Sequence, residues 1–330
     1  MTTPLDGRPG AEGEGRRTAF GIALSIDPRI SIPGLGQSTG SDTADRESQI
    51  RLDDDGELDR RWQALTAAPT RARELRFGET LLLSVDFAEA AGYLLWTRDF
   101  GRVLISPDGL ELLCEPDPAN EDWASILAAQ ALPLAATIRG LEVFHASGIV
   151  LEDRALLISG PPGAGKSSLA AALVRAGGRL LSDDAVALQL DTDELIAHAG
   201  AAMLQLRDVE DRRLSEGERI ALGRPTSSSE GKRRYLSDGA ADPVPLGGLF
   251  LIERSAAEPA IERLEAVDPF ALIASTFNLS VRTPARLRRQ LDVVSAIASH
   301  GLAYRLRVQP GVDATRLAAI VQAQFAVVSR

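Results

Sequence analysis

The feature that most restricts this chain is a glycine-rich segment near its centre, Leu156–Leu173 (LLISGPPGAGKSSLAAAL). An apolar strand precedes the glycines and a helix-forming run follows them. Residues 160–167 match the pattern G-x-x-x-x-G-K-[ST] without a mismatch. Glycines in such a loop let backbone N–H groups converge on phosphate oxygens at the positive end of the following helix. The segment therefore predicts a bound nucleoside triphosphate, with ATP expected.

Two side chains of this phosphate-binding loop carry specific predictions. Lys166 is expected to bridge the β- and γ-phosphates, and the Ser167 hydroxyl to coordinate Mg²⁺. Lys166 and Lys232 are the only lysines in the sequence, and each directly follows a glycine. The residues predicted to contact the nucleotide within this segment are Gly160, Pro161, Pro162, Gly163, Ala164, Gly165, Lys166, Ser167 and Ser168.

A phosphate-binding loop of this kind needs an acidic partner for its metal ion, usually at the end of a neighbouring strand. The stretch RLLSDDAVALQL is predicted to be one strand, and it supplies Asp183 and Asp184 directly after an apolar pair. A regular strand would direct only one of them to the site, but the end of a strand relaxes that rule. Both are predicted metal ligands, and the sequence does not decide which lies nearer the metal.

Composition limits the classes of partner. The chain has 46 acidic and 36 basic side chains, a formal charge of −10, which argues against nucleic acid and anionic membranes as partners. The single cysteine, Cys114, fits a reducing compartment. The first thirty residues lack the apolar run of a signal peptide, and no apolar stretch reaches the roughly 20 residues of a membrane span. A cytoplasmic protein is expected.

Hydrophobic patterning predicts an α/β chain in three parts. Residues 1–17 are Gly, Pro, Glu and Arg without periodicity and are predicted to be a disordered tail. Residues 18–118 contain short β-type runs separated by turn residues, which predict a smaller β-rich accessory domain for recognition of a partner. Residues 119–330 begin with a helix kinked at Pro133 and continue with alternating strands and helices, as expected of the catalytic domain. The segment SEGKRRYLSDGAADP is predicted to be an exposed loop.

The spacing of three residues adds a resemblance to a known family. His145 lies 21 residues before Lys166, and Asp184 lies 18 after it, within RLLSDDAVAL. This arrangement resembles the bacterial HPr serine kinase/phosphorylase family, particularly its smaller kinase-like relatives found with modified-peptide (lasso peptide) biosynthesis. The opening AFGIALSIDPRISIPGL is also similar to those relatives. The similarity is dense over residues 140–190, looser over 18–139 and weak after 240.

The resemblance implies a P-loop kinase domain of HPr-kinase (PEP carboxykinase-like) type on a mixed sheet. It implies that Asp184 is the catalytic base for a serine hydroxyl, that Lys166 holds the phosphates, and that His145 assists in the active site. ATP and Mg²⁺ would be the cofactors. The acceptor would be a small protein or a ribosomally synthesised, lasso-type peptide precursor.

One position departs from the family pattern. The family carries a glutamate metal ligand after the aspartate pair, and the nearest segment here, LQLRD, has Gln205 in that place. Because an amide oxygen is a weaker ligand for Mg²⁺, the sequence leaves open whether a second metal is tightly held and whether the reverse, phosphate-removing reaction exists. The segment GKRRY occupies the place of a basic loop of the family, so Lys232 and Arg234 are predicted to stabilise the transferring charge.

Three rival functions remain at this stage. LSEGER (Leu214–Arg219) is similar to the signature of ABC-type ATPases, in which case Glu253 would polarise the attacking water. However, only 49 residues separate Lys166 from Ser215, and no aspartate precedes Glu253. A small-molecule kinase and a nucleotide-sensing module are the others. A small-molecule kinase needs a compact closed pocket, whereas a protein kinase needs an open face. The sequence leaves open a homo-oligomer.

Overall fold

The computed structural model describes residues 17–35, 46–229, 231–239, 242–277 and 280–328. The disordered tail predicted for residues 1–17 lies outside these ranges except for Arg17, which begins the first strand. Strands dominate as far as Pro116, and strands and helices alternate after it. The mixed α/β class predicted from the sequence is therefore confirmed.

The first part of the chain forms one sheet. Its eight described strands lie in the order β1-β2-β3-β8-β7-β6-β5-β4, and all neighbours are antiparallel except β2–β3 and β3–β8. The elements are β1 (Arg17–Ala19), β2 (Ile22–Ile26), β3 (Ser48–Leu52), α1 (Glu57–Gln63), β4 (Thr70–Phe77), β5 (Thr80–Ala88), β6 (Gly92–Thr97), β7 (Gly101–Ile105) and β8 (Glu111–Pro116). We call this the front sheet.

The strand β4 (Thr70–Phe77, TRARELRF) is an element that the sequence did not predict. It forms the outer edge of the front sheet and pairs only with β5 among the described strands. Six of its eight residues are exposed, so neither side of the strand needs an apolar row. Without that row, the period-two pattern that identifies a strand is absent.

The second part of the chain contains two further sheets. Its elements are a π-helical turn (Leu127–Ala131), α2 (Leu132–Ile138), β9 (Glu142–Phe144), β10 (Ala146–Leu151), β11 (Arg154–Ser159), α3 (Lys166–Arg175), β12 (Arg179–Ser182), β13 (Val186–Asp191), β14 (Glu194–His198), β15 (Met203–Arg207), α4 (Asp208–Asp211), α5 (Glu216–Leu222), β16 (Arg224–Ser229), β17 (Lys232–Leu236), β18 (Val244–Arg254), β19 (Ala260–Arg263), α6 (Pro269–Ala274), α7 (Pro284–Ser299), β20 (Ala303–Val308) and α8 (Ala314–Val328). The helix predicted to bend at Pro133 is a π-helical turn followed directly by α2, and Pro133 lies in the first turn of α2.

The larger of these sheets, the central sheet, lies between two layers of helices. Its order is β12-β10-β11-β18-β14-β13-β9, with β20 beside β18 and β19 beside β20. Alternation along β11 sends Leu156 and Ile158 to the core that contains α3 and α8, and Ala155 and Leu157 to the core that contains α7. Both faces of the central strands are thus covered, as the continuous apolar runs of β11 and β18 require.

Strand direction in the central sheet brings the chemically important segments to one edge. The strands β11, β18 and β20 run parallel to one another, and β10 runs antiparallel to β11 and to β12. The carboxyl ends of β11, β12, β18 and β20 therefore lie on the same edge as the amino end of β10. This edge carries the glycine loop after β11, the aspartate pair after β12, and His145 before β10.

The third sheet consists of the strands β15, β17 and β16, all antiparallel. The prediction that SEGKRRYLSDGAADP is an exposed loop is wrong over Lys232–Leu236, which forms the middle strand β17. Tyr235 in this strand is 1% exposed, and the Tyr235 hydroxyl donates a hydrogen bond to Asp211. The segment was predicted to be a loop because it is highly charged, and Tyr235 is its one fully buried aromatic residue.

One apolar core crosses residue 118, the predicted boundary between the accessory and catalytic domains. It joins the inner side of the front sheet with the π-helical turn and α2, and with alternate residues of β9 and β13, including Val143, Ala185 and Ala187. The opposite residues of those two strands belong to the core under α7. The front sheet and the β9–β13 side of the central sheet are therefore packed on each other.

Candidate active site

The glycine loop has the backbone that a phosphate cradle requires. Gly163 and Gly165 have φ of +78° and +103°, and a Cβ on Gly165 would meet nothing within 4 Å. The helix α3 begins directly afterwards at Lys166, so its first N–H groups point at the loop. Lys166 arches back over the loop, and its Nζ donates to the Gly160 carbonyl oxygen at 3.0 Å. Burial lowers the pKa of Lys166 although two aspartates oppose this.

Asp183 is fixed by four donors. Its Oδ1 accepts hydrogen bonds from Ser167 Oγ at 3.2 Å, Ser147 Oγ at 2.5 Å and the Asp184 amide at 3.1 Å. Its Oδ2 accepts from the Gln205 amide at 3.2 Å. Burial, with the Asp184 charge second, raises the pKa of Asp183 to about 6. Of the two aspartates, Asp183 is the one hydrogen-bonded to the hydroxyl of the loop residue Ser167.

Asp184 borders the cleft on the other side of this turn. Its φ of +66° is left-handed, a conformation uncommon for residues other than glycine. The turn separates β12 from β13, which the sequence had suggested as one strand, and these two strands occupy different positions in the central sheet. Because the backbone reverses direction at this turn, the two adjacent carboxylates have different surroundings: Asp183 is hydrogen-bonded to Ser167, whereas Asp184 lines the cleft.

His145 occupies a break between β9 and β10. Its backbone N–H donates to the Ser275 carbonyl at 2.6 Å, and its carbonyl accepts from Ser159 Oγ at 3.1 Å. Its Nδ1 lies 3.0 Å from the Asp184 carbonyl oxygen. Since that oxygen can only accept, Nδ1 carries the hydrogen and Nε2 is left as the acceptor. Burial first, and the Lys166 charge second, lower the pKa of His145.

These groups surround a cleft of about 880 Å³. Of the residues predicted from the sequence, its walls contain His145, Pro162, Gly163, Ala164, Gly165, Lys166, Ser167, Ser168, Asp184, Gln205 and Lys232. Gly160 contributes its carbonyl to Lys166, and Pro161 closes the loop by accepting the Ala164 amide. Arg213 and Lys232 are exposed side chains of the wall, so the cleft opens to solvent on that side.

Arg234 is not among the described residues that line the cleft. It is 8% exposed, and its guanidinium is ion-paired with Asp122, which precedes the π-helical turn. Arg234 lies two residues after Lys232 in β17. Lys232 is exposed at the rim of the cleft, whereas Arg234 is buried. Lys232 therefore lies at the cleft and Arg234 lies outside its described lining, and the contact of Arg234 with a transferring phosphate stays a prediction.

Three of the cleft residues that were not singled out from the sequence lie against the glycine loop or the first turn of α3. Arg254, at the end of β18, donates from Nη2 to the Gly163 carbonyl at 3.1 Å. Nη2 of Arg207 lies 3.5 Å from the position that a Cβ on Gly163 would take. Glu210 accepts from Ser168 Oγ at 2.7 Å. Each of the two arginines is the last residue of a strand, and that position was the feature of the sequence that could have indicated a place at the site. Glu210, on the short helix α4, had no comparable feature.

The donor set fits a magnesium ion held jointly with a nucleotide. Within the described ranges, no group of three or more His, Cys, Asp or Glu side chains forms a cage for a metal. Mg²⁺ at phosphate sites is commonly bound by one or two carboxylates, a hydroxyl, water and the phosphates themselves. Ser167 and Asp183 supply that hydroxyl and carboxylate, and Asp184 lies beside them.

Comparisons with solved structures give distant similarity. No protein-family model matches the chain, and no curated protein matches it. A solved structure of the HPr(Ser) kinase/phosphatase from Coxiella burnetii matches 57% of this chain and 99% of its own, with 12% identity and a TM-score of 0.30. At that TM-score the similarity carries no argument about activity. Across the described residues, no helix has the length and apolarity needed to cross a bilayer.

Proposed function

We propose that this protein is an ATP- and Mg²⁺-dependent kinase that transfers the γ-phosphoryl group to a serine hydroxyl of a polypeptide. The acceptor class is a small protein or a ribosomally synthesised, lasso-type peptide precursor. The observation that carries the proposal is the convergence of His145, Lys166 and Asp184 on one cleft. They come from three separate segments, at the spacings of 21 and 18 residues noted in the sequence.

In this proposal the glycine loop and Lys166 hold the phosphates. The loop N–H groups and the helix terminus attract the anion, and the Lys166 ammonium leaves the Gly160 carbonyl to contact it. Ser167 and Asp183 hold Mg²⁺, which when bound neutralises charge on the phosphate oxygens. Arg207 and Arg254 stand over Gly163 and add positive charge beside the loop. Phosphoryl transfer is helped chiefly by such positioning and charge.

Asp184 is proposed to take the proton of the acceptor hydroxyl. As that O–H bond breaks, the serine oxygen forms a bond to the γ-phosphorus and the bond to the β-phosphate oxygen breaks, which releases ADP. The lowered pKa of His145 keeps its imidazole neutral at pH 7, so Nε2 remains an acceptor for a different donor of the polypeptide, such as a backbone N–H, while the single hydrogen of the hydroxyl goes to Asp184. General-base help of this kind contributes about 10²–10⁴-fold.

The rival functions have less support. In the ATPase alternative, Glu253 would face the nucleotide, but it is exposed, ion-paired with Arg305, and absent from the described cleft lining. In the small-molecule alternative, the pocket would be closed, whereas exposed side chains line this cleft.

The test uses the full chain, γ-labelled ATP, Mg²⁺ and the small proteins and peptides encoded beside it. The expected result is label on a serine of one acceptor, located by mass spectrometry. Lys166→Arg serves as the negative control, because a planar guanidinium does not replace a compact ammonium in this cradle. Steady ATP hydrolysis without any acceptor, at a rate that acceptors do not change, would refute the proposal.

A further inference from the structure

A cation of the front sheet reaches the back of the candidate active site. Arg73, on the edge strand β4, places its guanidinium carbon 5.9 Å from the centroid of the Phe277 ring. The Phe277 ring in turn lies 5.9 Å, centroid to centroid, from the His145 ring. The segment that carries Phe277 is held against the break at His145, since the Phe277 amide donates to the Val143 carbonyl. Arg73, Phe277 and His145 thus form a continuous series.

Arg73 is the unusual member of its strand. Its neighbours Arg71 and Arg76 both have acidic partners, Asp86 or Glu74. Arg73 is half-buried, and its Nη1 donates a long hydrogen bond of 3.4 Å to Gln130 Oε1. Among the residues that the structure describes, no carboxylate pairs with it, and burial lowers its pKa without an opposing acid.

The missing partner is notable in this chain. Acidic side chains outnumber basic ones by 46 to 36, so a carboxylate was readily available. Partial burial of a guanidinium without a counter-charge costs free energy that the fold does not recover by itself. Stacking on an aromatic face offsets part of this cost. An anion supplied from outside the chain would offset the rest.

The position of Arg73 separates this anion from the nucleotide. His145 lines the cleft, but Arg73 and Phe277 are not among the described residues that do so. Arg73 belongs to the front sheet, and Phe277 connects it to His145. An anion held there would belong to the second substrate, not to ATP.

We infer that Arg73 binds a carboxylate of the polypeptide acceptor, about three residues from the serine that receives the phosphate; the inference rests on the function proposed above. The two distances of 5.9 Å place the Arg73 guanidinium no more than about 12 Å from the His145 ring, and an extended chain advances about 3.3 Å per residue. The carboxylate belongs to an Asp or Glu side chain, or to the end of the acceptor chain. Arg73 thereby gives the front sheet a part in selecting the substrate.

The test measures binding and transfer separately with synthetic fluorescent serine peptides. One series places Asp, or Asn as its match, at each position up to four residues on either side of the serine; a second compares free and amidated carboxyl ends. The proteins are the full-length chain, Arg73→Glu, Arg73→Lys and the control Arg76→Glu. Arg76 lies on the same strand and is exposed, so its variant has the same charge change away from Phe277. Melting temperatures verify that all variants are folded.

With the unaltered protein, we expect one acidic position, or the free carboxyl end, to tighten peptide binding. Arg73→Glu should weaken binding of that peptide about tenfold or more, with no change in the affinity for Mg-ATP, and should favour the same peptide with Lys in place of Asp. Arg73→Lys should recover part of the affinity, and Arg76→Glu should have no effect.

Two outcomes would overturn the inference: peptides with and without the carboxylate bind equally, or Arg73→Glu binds the acidic peptide as the unaltered protein does. Binding that depends on Arg73 without transfer of phosphate would contradict the proposed kinase activity and leave the carboxylate site standing. Transfer of phosphate that does not depend on Arg73 would contradict the carboxylate site and leave the proposed kinase activity standing.

Discussion

Ser167 Oγ donates a hydrogen bond of 3.2 Å to Oδ1 of Asp183, which joins the first turn of α3 to the end of β12. This contact distinguishes two adjacent carboxylates that look alike in the sequence. Asp183 is held by four donors beneath the phosphate loop, whereas Asp184 borders the cleft. The pair therefore divides into a group suited to a metal ion and a group suited to a substrate proton.

Asp183→Asn should weaken Mg²⁺-dependent ATP binding about tenfold or more, about 1.4 kcal/mol, because an amide is a poorer ligand for Mg²⁺. Isothermal titration calorimetry with Mg²⁺ and with EDTA measures this. Since burial raises the pKa of Asp183 to about 6, its ionised form costs stability above that pH. The ligand-free variant should therefore melt no lower than the unaltered protein at pH 8. Equal losses of affinity in Mg²⁺ and EDTA would contradict the metal role.

Asp184→Asn should lower the rate of phosphate transfer by about 10²–10⁴-fold while ATP still binds. Asparagine is the suitable replacement, because it tolerates the left-handed backbone that this position adopts. Asp184→Ala is the informative comparison, since it removes the same carboxylate but should also lower the melting temperature. Single-turnover kinetics and ATP titration provide the measurements. Normal turnover by the asparagine variant would exclude this residue as the base.

His145 should make stability depend on pH in a defined direction. Its pKa in the folded protein is lower than the ordinary value of 6.5, so the folded state binds its proton less readily than the unfolded state. The stabilisation is therefore present above about pH 6.5 and is lost as the pH falls through the folded pKa.

Thermal denaturation of the unaltered protein and His145→Asn at several pH values tests this. Asn can keep the hydrogen bond to the Asp184 carbonyl through its amide nitrogen, but it does not titrate. The melting temperature of the unaltered protein, relative to the variant, should decline between pH 7.5 and pH 5. A difference that stays constant or grows in acid would contradict a depressed pKa.

Arg234→Gln should reduce stability more than it reduces chemistry. The Arg234 guanidinium is 8% exposed and paired with Asp122, so loss of the pair should cost about 2 kcal/mol, between typical values for exposed and buried pairs. Asp122→Asn should cost a similar amount, and the double variant less than the sum. Urea denaturation of the four proteins completes the cycle. A large loss of transfer rate in a fully stable Arg234→Gln protein would restore the catalytic interpretation.

The sequence predicted the residues around the glycine loop, but it did not predict all of the cleft residues that the third sheet contributes. The loop motif and the spacing of His145, Lys166 and Asp184 depend on short segments whose local backbone is strongly determined. The residues from the third sheet, such as Arg207 and Lys232, depend on how β15 and β17 pair, and such pairing is long-range. In β17 (Lys232–Leu236, KRRYL), the three residues before Tyr235 are all charged, so that strand gives little sign of burial before Tyr235. The roles of all these residues remain predictions.

Strand assignment failed for related physical reasons. The strand β4 lacks an apolar row because it is an edge, and its Arg73 could be recognised as unusual only once its neighbours were known. RLLSDDAVALQL was interpreted as one strand because both halves are apolar. The left-handed turn at Asp184 divides it, and aspartate gives no strong sign of that conformation.

The shared core has a consequence for how the protein is made. All eight described strands of the front sheet are complete once Pro116 has been synthesised. The residues that cover their inner surface come later: residues 127–136, then Ala185 and Ala187, and finally Val281. Until Val281 has left the ribosome, the native cover of that surface is incomplete, and such exposed apolar area favours aggregation. Chaperone binding during translation is most needed in this interval.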